Sequence, residues 1–480
     1  MNRRTDRVVV VLLLIAAVVR FPGLGARSLW FDEALSGMIA RLSAAQVLTN
    51  AAGSSHPPGY YFLLHLWQVT GESEFALRFP SVWCSIAAVA LVARLGYDLF
   101  GRRVARLAAL GMALAPFQVY YAQEARMYGL ATALGAGLLW SFVRGVRGGG
   151  RGAWWGYSLC TVLGLYVHYY VGLVVLALHF WLLLDRRFLR RALRSLLIAD
   201  LLIGLAFVPQ LAQFRSEAGE FLGSARWRAV PHPLEPLRTF HYLLFSHVMP
   251  LWVVPAGLFL IIGLLAFGVL WISRRRDRMA WMLILVVLLP ITSALLVSLL
   301  VTPVYVERSF AVVTPALMLL LARGVVIAPR RSPMPYLGTA LVVLMMVGVV
   351  VHHTQADPAK PPLREALAVV VQGAEDSDMI LHLQDASYLP SLYYKRSRAG
   401  ALVDAGQRLW LPPMVYALLG GEVIQSGDSS LADRVWLTVM PGYVGPQQQT
   451  FLDAWEAAHP TIQSWGWGLS VQVRLYARGD

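Results

Sequence analysis

Eleven apolar runs, each near the length needed to cross a bilayer, recur between residues 7 and 352. A chain with this pattern must build a helical membrane bundle, because in hydrocarbon each segment has to satisfy its own backbone N–H and C=O groups. Composition agrees, with 57% of residues hydrophobic and only 14% charged. Short basic clusters fall on every second connection: Arg3/Arg4/Arg7, Arg102/Arg103/Arg106, Arg144/Arg147/Arg151, Arg186/Arg187/Arg190/Arg191/Arg194, Arg274/Arg275/Arg276/Arg278 and Arg330/Arg331. Cytoplasmic connections collect arginine and lysine, so this alternation places the N-terminus in the cytoplasm of a multi-pass protein of the plasma (inner) membrane. The remaining connections, 23–80, 117–127, the His168–Tyr170 turn, 215–250 and 302–308, then lie outside.

The net charge of +14 is therefore a topology signal and does not mark a nucleic-acid surface. Nearly all of it is arginine, and Lys360 and Lys395 are the only lysines. Cys84 and Cys160 both sit in apolar stretches, which indicates neither a disulfide framework nor a cysteine metal site. The basic start followed by Val8–Val19 has the form of a signal peptide without a small-x-small cleavage site, and is read as an uncleaved first helix.

Three parts follow: a transmembrane domain over 1–352, a Pro-rich linker over 353–362, and a soluble domain over 363–480. The external loop 23–80 contains Ala34–Leu48, whose apolar spacing predicts interfacial helices. Loop 215–250 is polar and Pro-rich, with the character of a lid carrying short helices. In the tail, helices are expected at Leu363–Gln372, Leu389–Tyr394 and Gln449–His459. Strands are expected at Met379–Leu383, Arg434–Val439 and Leu469–Tyr476. That alternation predicts a small α/β domain, which the parity of eleven spans places outside the membrane.

Candidate chemistry concentrates on the external side. Asp32 and Glu33, between Trp30-Phe31 and Ala34, are adjacent carboxylates just beyond the first apolar run. Asp32 suits a general base with Glu33 positioning it; the alternative is a first-turn helix cap. The same two oxygen donors are the only place where the sequence suggests a divalent cation. In Ser55-His56-Pro57-Pro58 the prolines hold His56 out of a helix that begins near Tyr60. Tyr120–Tyr128 carries Glu124 and Arg126 at a helix junction, and Val304–Ser309 carries Tyr305, Glu307 and Arg308. Arginine at such sites can take a phosphate through two parallel N–H donors. A local Glu124–Arg126 pair and a snorkelling Arg308 are the plainer alternatives. Asp200, inside the seventh run, is read as a partner of Arg194.

Trp30-Phe31-Asp32-Glu33, His56-Pro57-Pro58 and Gln123-Glu124-Ala125-Arg126-Met127-Tyr128 together resemble the bacterial family 39 glycosyltransferases. These belong to the GT-C superfamily, with protein O-mannosyltransferases and lipid A aminoarabinose transferases as relatives. The resemblance covers residues 1 to about 350. It implies a polyprenyl-phosphate-linked sugar donor and an acceptor hydroxyl on a lipid, glycan or protein. It also implies inverting transfer on the extracytoplasmic face, with Asp32 as catalytic base. By the same resemblance Glu124 takes the second acidic position and Arg126 and Arg308 meet the donor phosphate. The external His56, Tyr60, Tyr128, His168 and Tyr305 are expected to line the substrate. A transporter or flippase of a lipid-linked sugar is the competing class. It predicts inverted repeats and broken mid-membrane helices, and neither is evident in the sequence.

Overall fold

A computed structural model describes residues 7–49, 54, 56–224, 230–250, 253–329, 331–355, 357, 360–394, 400–407, 409, 411, 413–425, 433–468 and 470–477, with the side chains of 216–224 excluded. Arg3, Arg4, Ser55, Arg330, Lys395 and Leu469, all named above, lie outside the described residues.

The helices, in chain order, are α1 Arg7–Val18, α2 Phe31–Ala40, α3 Ala44–Leu48, α4 Gly59–Trp67, α5 Glu74–Phe100, α6 Arg102–Leu114, α7 Pro116–Ala122, α8 Tyr128–Val146, α9 Gly150–Val167 and α10 Tyr170–Leu184. They continue with α11 Arg186–Ser224, α12 Glu235–Phe245, α13 Val254–Arg275, α14 Arg278–Leu300, α15 Thr314–Ile327 and α16 Met334–Thr354. In the tail are α17 Leu363–Gly373, α18 Asp385–Tyr394, α19 Pro413–Leu418 and α20 Pro446–Ala458, with strands β1 Met379–His382, β2 Ala401–Asp404, β3 Val423–Gln425, β4 Arg434–Val439, β5 Thr461–Trp467 and β6 Val471–Ala477.

The apolar runs fall on helical segments, but the run 104–120 is split between α6 and α7 and the run 309–328 begins in the 3-10 segment Glu307–Val313. Among the described residues, seven helices are long and apolar enough to cross a membrane, and Arg7–Val18 and Tyr170–Leu184 are shorter apolar helices. Interfacial helices expected over Ala34–Leu48 appear as α2 and α3, beginning three residues earlier at Phe31.

The chain divides into two compact units. The first comprises Met1–Pro22, Ser54–Tyr60 and Arg78–Gln355; the second comprises Gly23–Gly53, Tyr61–Leu77 and Ala356–Asp480.

Within the first unit, packing follows from small residues and redirected carbonyls. Pro116 has no N–H to offer Met112 four residues earlier, so α6 ends and a carbonyl is freed. The buried Arg20 takes it: its Nη2 donates to Met112 O at 2.9 Å and its Nη1 to Ala113 O at 2.9 Å. Gly135 of α8 lies so close to the 3-10 segment Glu307–Val313 that a Cβ there would meet Val312 O at 2.9 Å. Gly129 approaches α5 likewise, with Ser81 O at 2.8 Å from a Cβ. These contacts fix the start of α8 and the segment bearing Arg308 against one frame.

Asp200 does not pair with Arg194. Its Oδ2 lies 2.9 Å from His179 Nε2, because α10 is the neighbour that α11 presents it to.

The second unit is built on a six-stranded sheet of order β3-β2-β1-β4-β6-β5. β1 pairs in parallel with β2 and β4, β2 with β3, while β6 joins β4 and β5 antiparallel. Alternation along β4 serves both faces: Trp436 packs with Leu363 and Val370 of α17, and Val435 and Leu437 pack with Leu452 and Trp455 of α20.

The predicted tail helices and strands appear with small shifts, but β2, β3 and β5 were not legible. β2 and β3 are four and three residues long, and β5 is a largely exposed strand.

Candidate functional site

In the first unit, helix ends and connections gather the expected residues. Between α7 and α8, Glu124 and Arg126 are 1% and 2% exposed, an unusual depth for two charged side chains. The backbone of Arg126 is pinned from α5: Ser81 Oγ donates to Arg126 O at 3.2 Å and bonds Tyr60 Oη at 2.9 Å. Tyr60 is thus a buried strut under the arginine. The loop before Arg308 is held by Ser298 Oγ, which accepts from Val304 N and Tyr305 N at 2.9 and 2.8 Å, and by Tyr170 Oη donating to Val304 O at 2.8 Å.

His168 lies in the connection between α9 and α10. It is buried, and burial together with the charges of Arg126 and Arg308 pushes its pKa down to about 3. The imidazole is therefore neutral at physiological pH. Its Nδ1 accepts from Tyr170 N–H at 3.2 Å, which assigns the ring proton to Nε2. That Nε2 is buried and has no hydrogen-bond partner among the described residues. The rings of His56 and Tyr128 flank it, with centroids 5.8 and 6.2 Å away.

Tyr121 packs on Tyr128 at 4.7 Å, shares a hydroxyl–hydroxyl hydrogen bond with Tyr242, and lies within electrostatic reach of Glu124 and Arg308. The first unit therefore brings together Arg126, Arg308, Glu124, His168, His56 and Tyr128. Tyr305 turns elsewhere: its hydroxyl bonds Thr239 Oγ1 at 2.6 Å. Glu307 is hydrogen-bonded to Glu235 of α12. Tyr121 and Tyr242 were missed in the sequence. Tyr121 sits inside the Tyr120–Tyr128 motif and was readable there, whereas nothing local marks Tyr242.

The carboxylate pair stands in the second unit. Trp30 occupies the N-cap of α2 without a side-chain bond, and Asp32 and Glu33 fall in the first turn. Neither is the N-cap residue. Glu33 is fully buried, with its Oε2 3.3 Å from Nζ of Lys360, itself 3% exposed. Asp32 is half-buried, and its charge acts on the Tyr443 phenol, which burial and Asp32 together raise in pKa.

The helix is clamped by the tail. Tyr394 Oη accepts from Leu29 N at 2.8 Å, Arg41 lies over the Tyr393 ring at 4.0 Å, and Ser28 Oγ donates to Glu365 at 2.9 Å. Lys360 was missed as a site residue, although its rarity in an arginine-rich chain was a signal. Among the described residues no group of three or more His, Cys, Asp or Glu side chains could hold a metal ion.

With this geometry in hand, three comparisons bear on class. Residues 55–212 match the family described as dolichyl-phosphate-mannose-protein mannosyltransferase. ArnT from Cupriavidus metallidurans, bound to undecaprenyl phosphate, superposes with a TM-score of 0.63 at 15% identity over 98% of both chains. Its apo form gives 0.64 at 14% identity over 97% of both chains. The oligosaccharyltransferase AglB from Archaeoglobus fulgidus, complexed with an inhibitory peptide and a dolichol-phosphate, gives 0.52 at 10% identity, over 99% of this chain and 74% of AglB. No curated protein sequence matches the chain. The fold is the one shared with ArnT and AglB.

Proposed function

We propose that the protein transfers a sugar from a polyprenyl-phosphate donor to an acceptor hydroxyl on the extracytoplasmic face, with inversion. The observation that carries this reading is the cluster of Arg126, Arg308 and a neutral His168 whose buried Nε2–H has no partner among the described residues. Two guanidiniums and one neutral donor suit a phosphate oxyanion that gains charge as the sugar–phosphate bond breaks. ArnT and AglB were each crystallised with a polyprenyl or dolichyl phosphate, which supports the same donor class here. An apolar cleft lined by Phe240, Leu264, Gly268, Ile284, Leu317 and Leu321 suits the isoprenoid chain.

In the proposed reaction the acceptor oxygen attacks the anomeric carbon opposite the phosphate. The acceptor proton passes to the Asp32 carboxylate, the C1–O bond breaks, and lipid phosphate leaves with the electron pair. Glu33, neutralised by Lys360, holds the first turn of α2 and so positions Asp32. The arginine alternation supports a cytoplasmic N-terminus and an external tail.

The test is transfer by purified full-length protein supplied with radiolabelled polyprenyl-phosphate sugars. Labelled product and released lipid phosphate are expected, and Asp32→Asn should abolish both while still binding undecaprenyl phosphate. Movement of intact donor across vesicles without cleavage would identify a flippase instead.

A further inference from the structure

The strand order of the second unit reverses direction between β1 and β4. From β1 the chain moves outward through β2 to β3, while β4 lies on the other side. Parallel sheets bind ligands outside the carboxyl ends of the strands at such a reversal, because the connections diverge and leave a crevice. Here the crevice is bounded by Leu383–Ser387, leading into α18, and by Met440–Val444, leading toward α20.

Its polar groups are not all satisfied. Gln384 is 3% exposed, and its Oε1 accepts from Met440 N–H at 2.9 Å across the β1–β4 gap. That bond fixes the amide orientation and leaves Nε2 as a buried donor with no partner among the described residues. Thr438 Oγ1, near the end of β4, is a second buried polar atom without a hydrogen-bond partner there. Buried polar groups are normally paired, so two such atoms at the ends of one strand pair mark a place for a ligand. Tyr443 stands at the rim, 45% exposed, within reach of the Asp32 charge.

We propose that this crevice is the acceptor subsite and that it takes a neutral, hydroxyl-rich acceptor, a glycan. The proposal rests on reading Asp32 as the base. Gln384 Nε2–H donates to an acceptor oxygen, and the Tyr443 ring offers an apolar face to a sugar. Neutrality follows from charge: neither bounding segment contains a lysine or arginine, and carboxylates stand at Asp32 and Asp385. A phosphorylated acceptor would meet repulsion with no cation in those segments.

The experiment uses full-length protein in detergent on an array of neutral and phosphorylated glycans, with undecaprenyl-phosphate binding measured in parallel. Gln384→Glu keeps the oxygen that accepts from Met440 but removes the donor; Tyr443→Ala alters an exposed side chain. Retention on neutral glycans is expected, weakened about ten-fold or more in both variants, with lipid-phosphate binding unchanged. Three results would overturn the proposal: no retention on neutral glycans, retention only on phosphorylated ones, or equal retention by both variants. Wild-type protein that retains glycans but binds no undecaprenyl phosphate would instead sink the donor assignment alone.

Discussion

The two units carry charge by opposite means. In the first, Arg126 and Glu124 are buried at the α7–α8 junction, and His168 and Arg308 join them from two other helix ends. In the second, the buried Glu33 is met by Lys360 from more than three hundred residues away. The first cluster is thus assembled from several helix ends of one bundle, whereas the carboxylate helix is held by the tail. The comparison teaches that the proposed base and the proposed phosphate ligands belong to different compact units, so each can be perturbed by itself.

The sharpest way to break that separation is Asp32→Asn. Transfer should fall by about 10²–10⁴, measured as labelled product per minute, with undecaprenyl-phosphate affinity intact; loss of lipid binding would show the roles to be entangled. Next, Glu33→Gln should destabilise the fold by about 1–3 kcal/mol by removing one charged partner of the buried Lys360. The double variant Glu33→Gln/Lys360→Met should recover much of the midpoint of thermal unfolding. Third, Arg126→Ala and Arg308→Ala should each weaken lipid-phosphate binding about 10²-fold. Lysine at either position should restore only part of it, since an ammonium lacks the paired donors of guanidinium.

Smaller again, His168→Phe should weaken binding about ten-fold, while His168→Gln, whose amide N–H can replace Nε2–H, should restore most of it. Smallest is a pH effect in the second unit. Burial opposes charge on Glu365, but its own backbone N–H, Ser28 Oγ and Arg364 outweigh burial and lower its pKa. A carboxylate lowered in the folded state adds stability above its ordinary pKa, and that stability is lost as pH falls through the folded value. Unfolding midpoints of wild type and Glu365→Gln should therefore differ at pH 7 and converge as acidification passes the lowered folded-state pKa of Glu365.

The membrane helices were legible because hydropathy is written along the chain in contiguous runs. Glu124, Arg126 and Arg308 were legible because charge next to an apolar run is costly and stands out. His56 and His168 came from the same external motifs, but their proximity belongs to packing. The affiliation of Gly23–Gly53 and Tyr61–Leu77 with the tail was not readable. It rests on Arg41 with Glu72 and Tyr393, and on Arg364 with Glu74, and such pairs leave no periodic trace. The partner of Asp200 was misread because sequence distance favoured Arg194, while helix packing favoured His179. The short strands β2 and β3 carry too few residues for alternation to register.

The buried ammonium at position 360 also sets an order of events during biogenesis. A ribosome emits residue 33 long before residue 360, so the first carboxylate-bearing turn spends most of synthesis without its counter-ion. Until the tail arrives, that turn lacks the ammonium it meets in the folded second unit, so its final packing waits on residue 360.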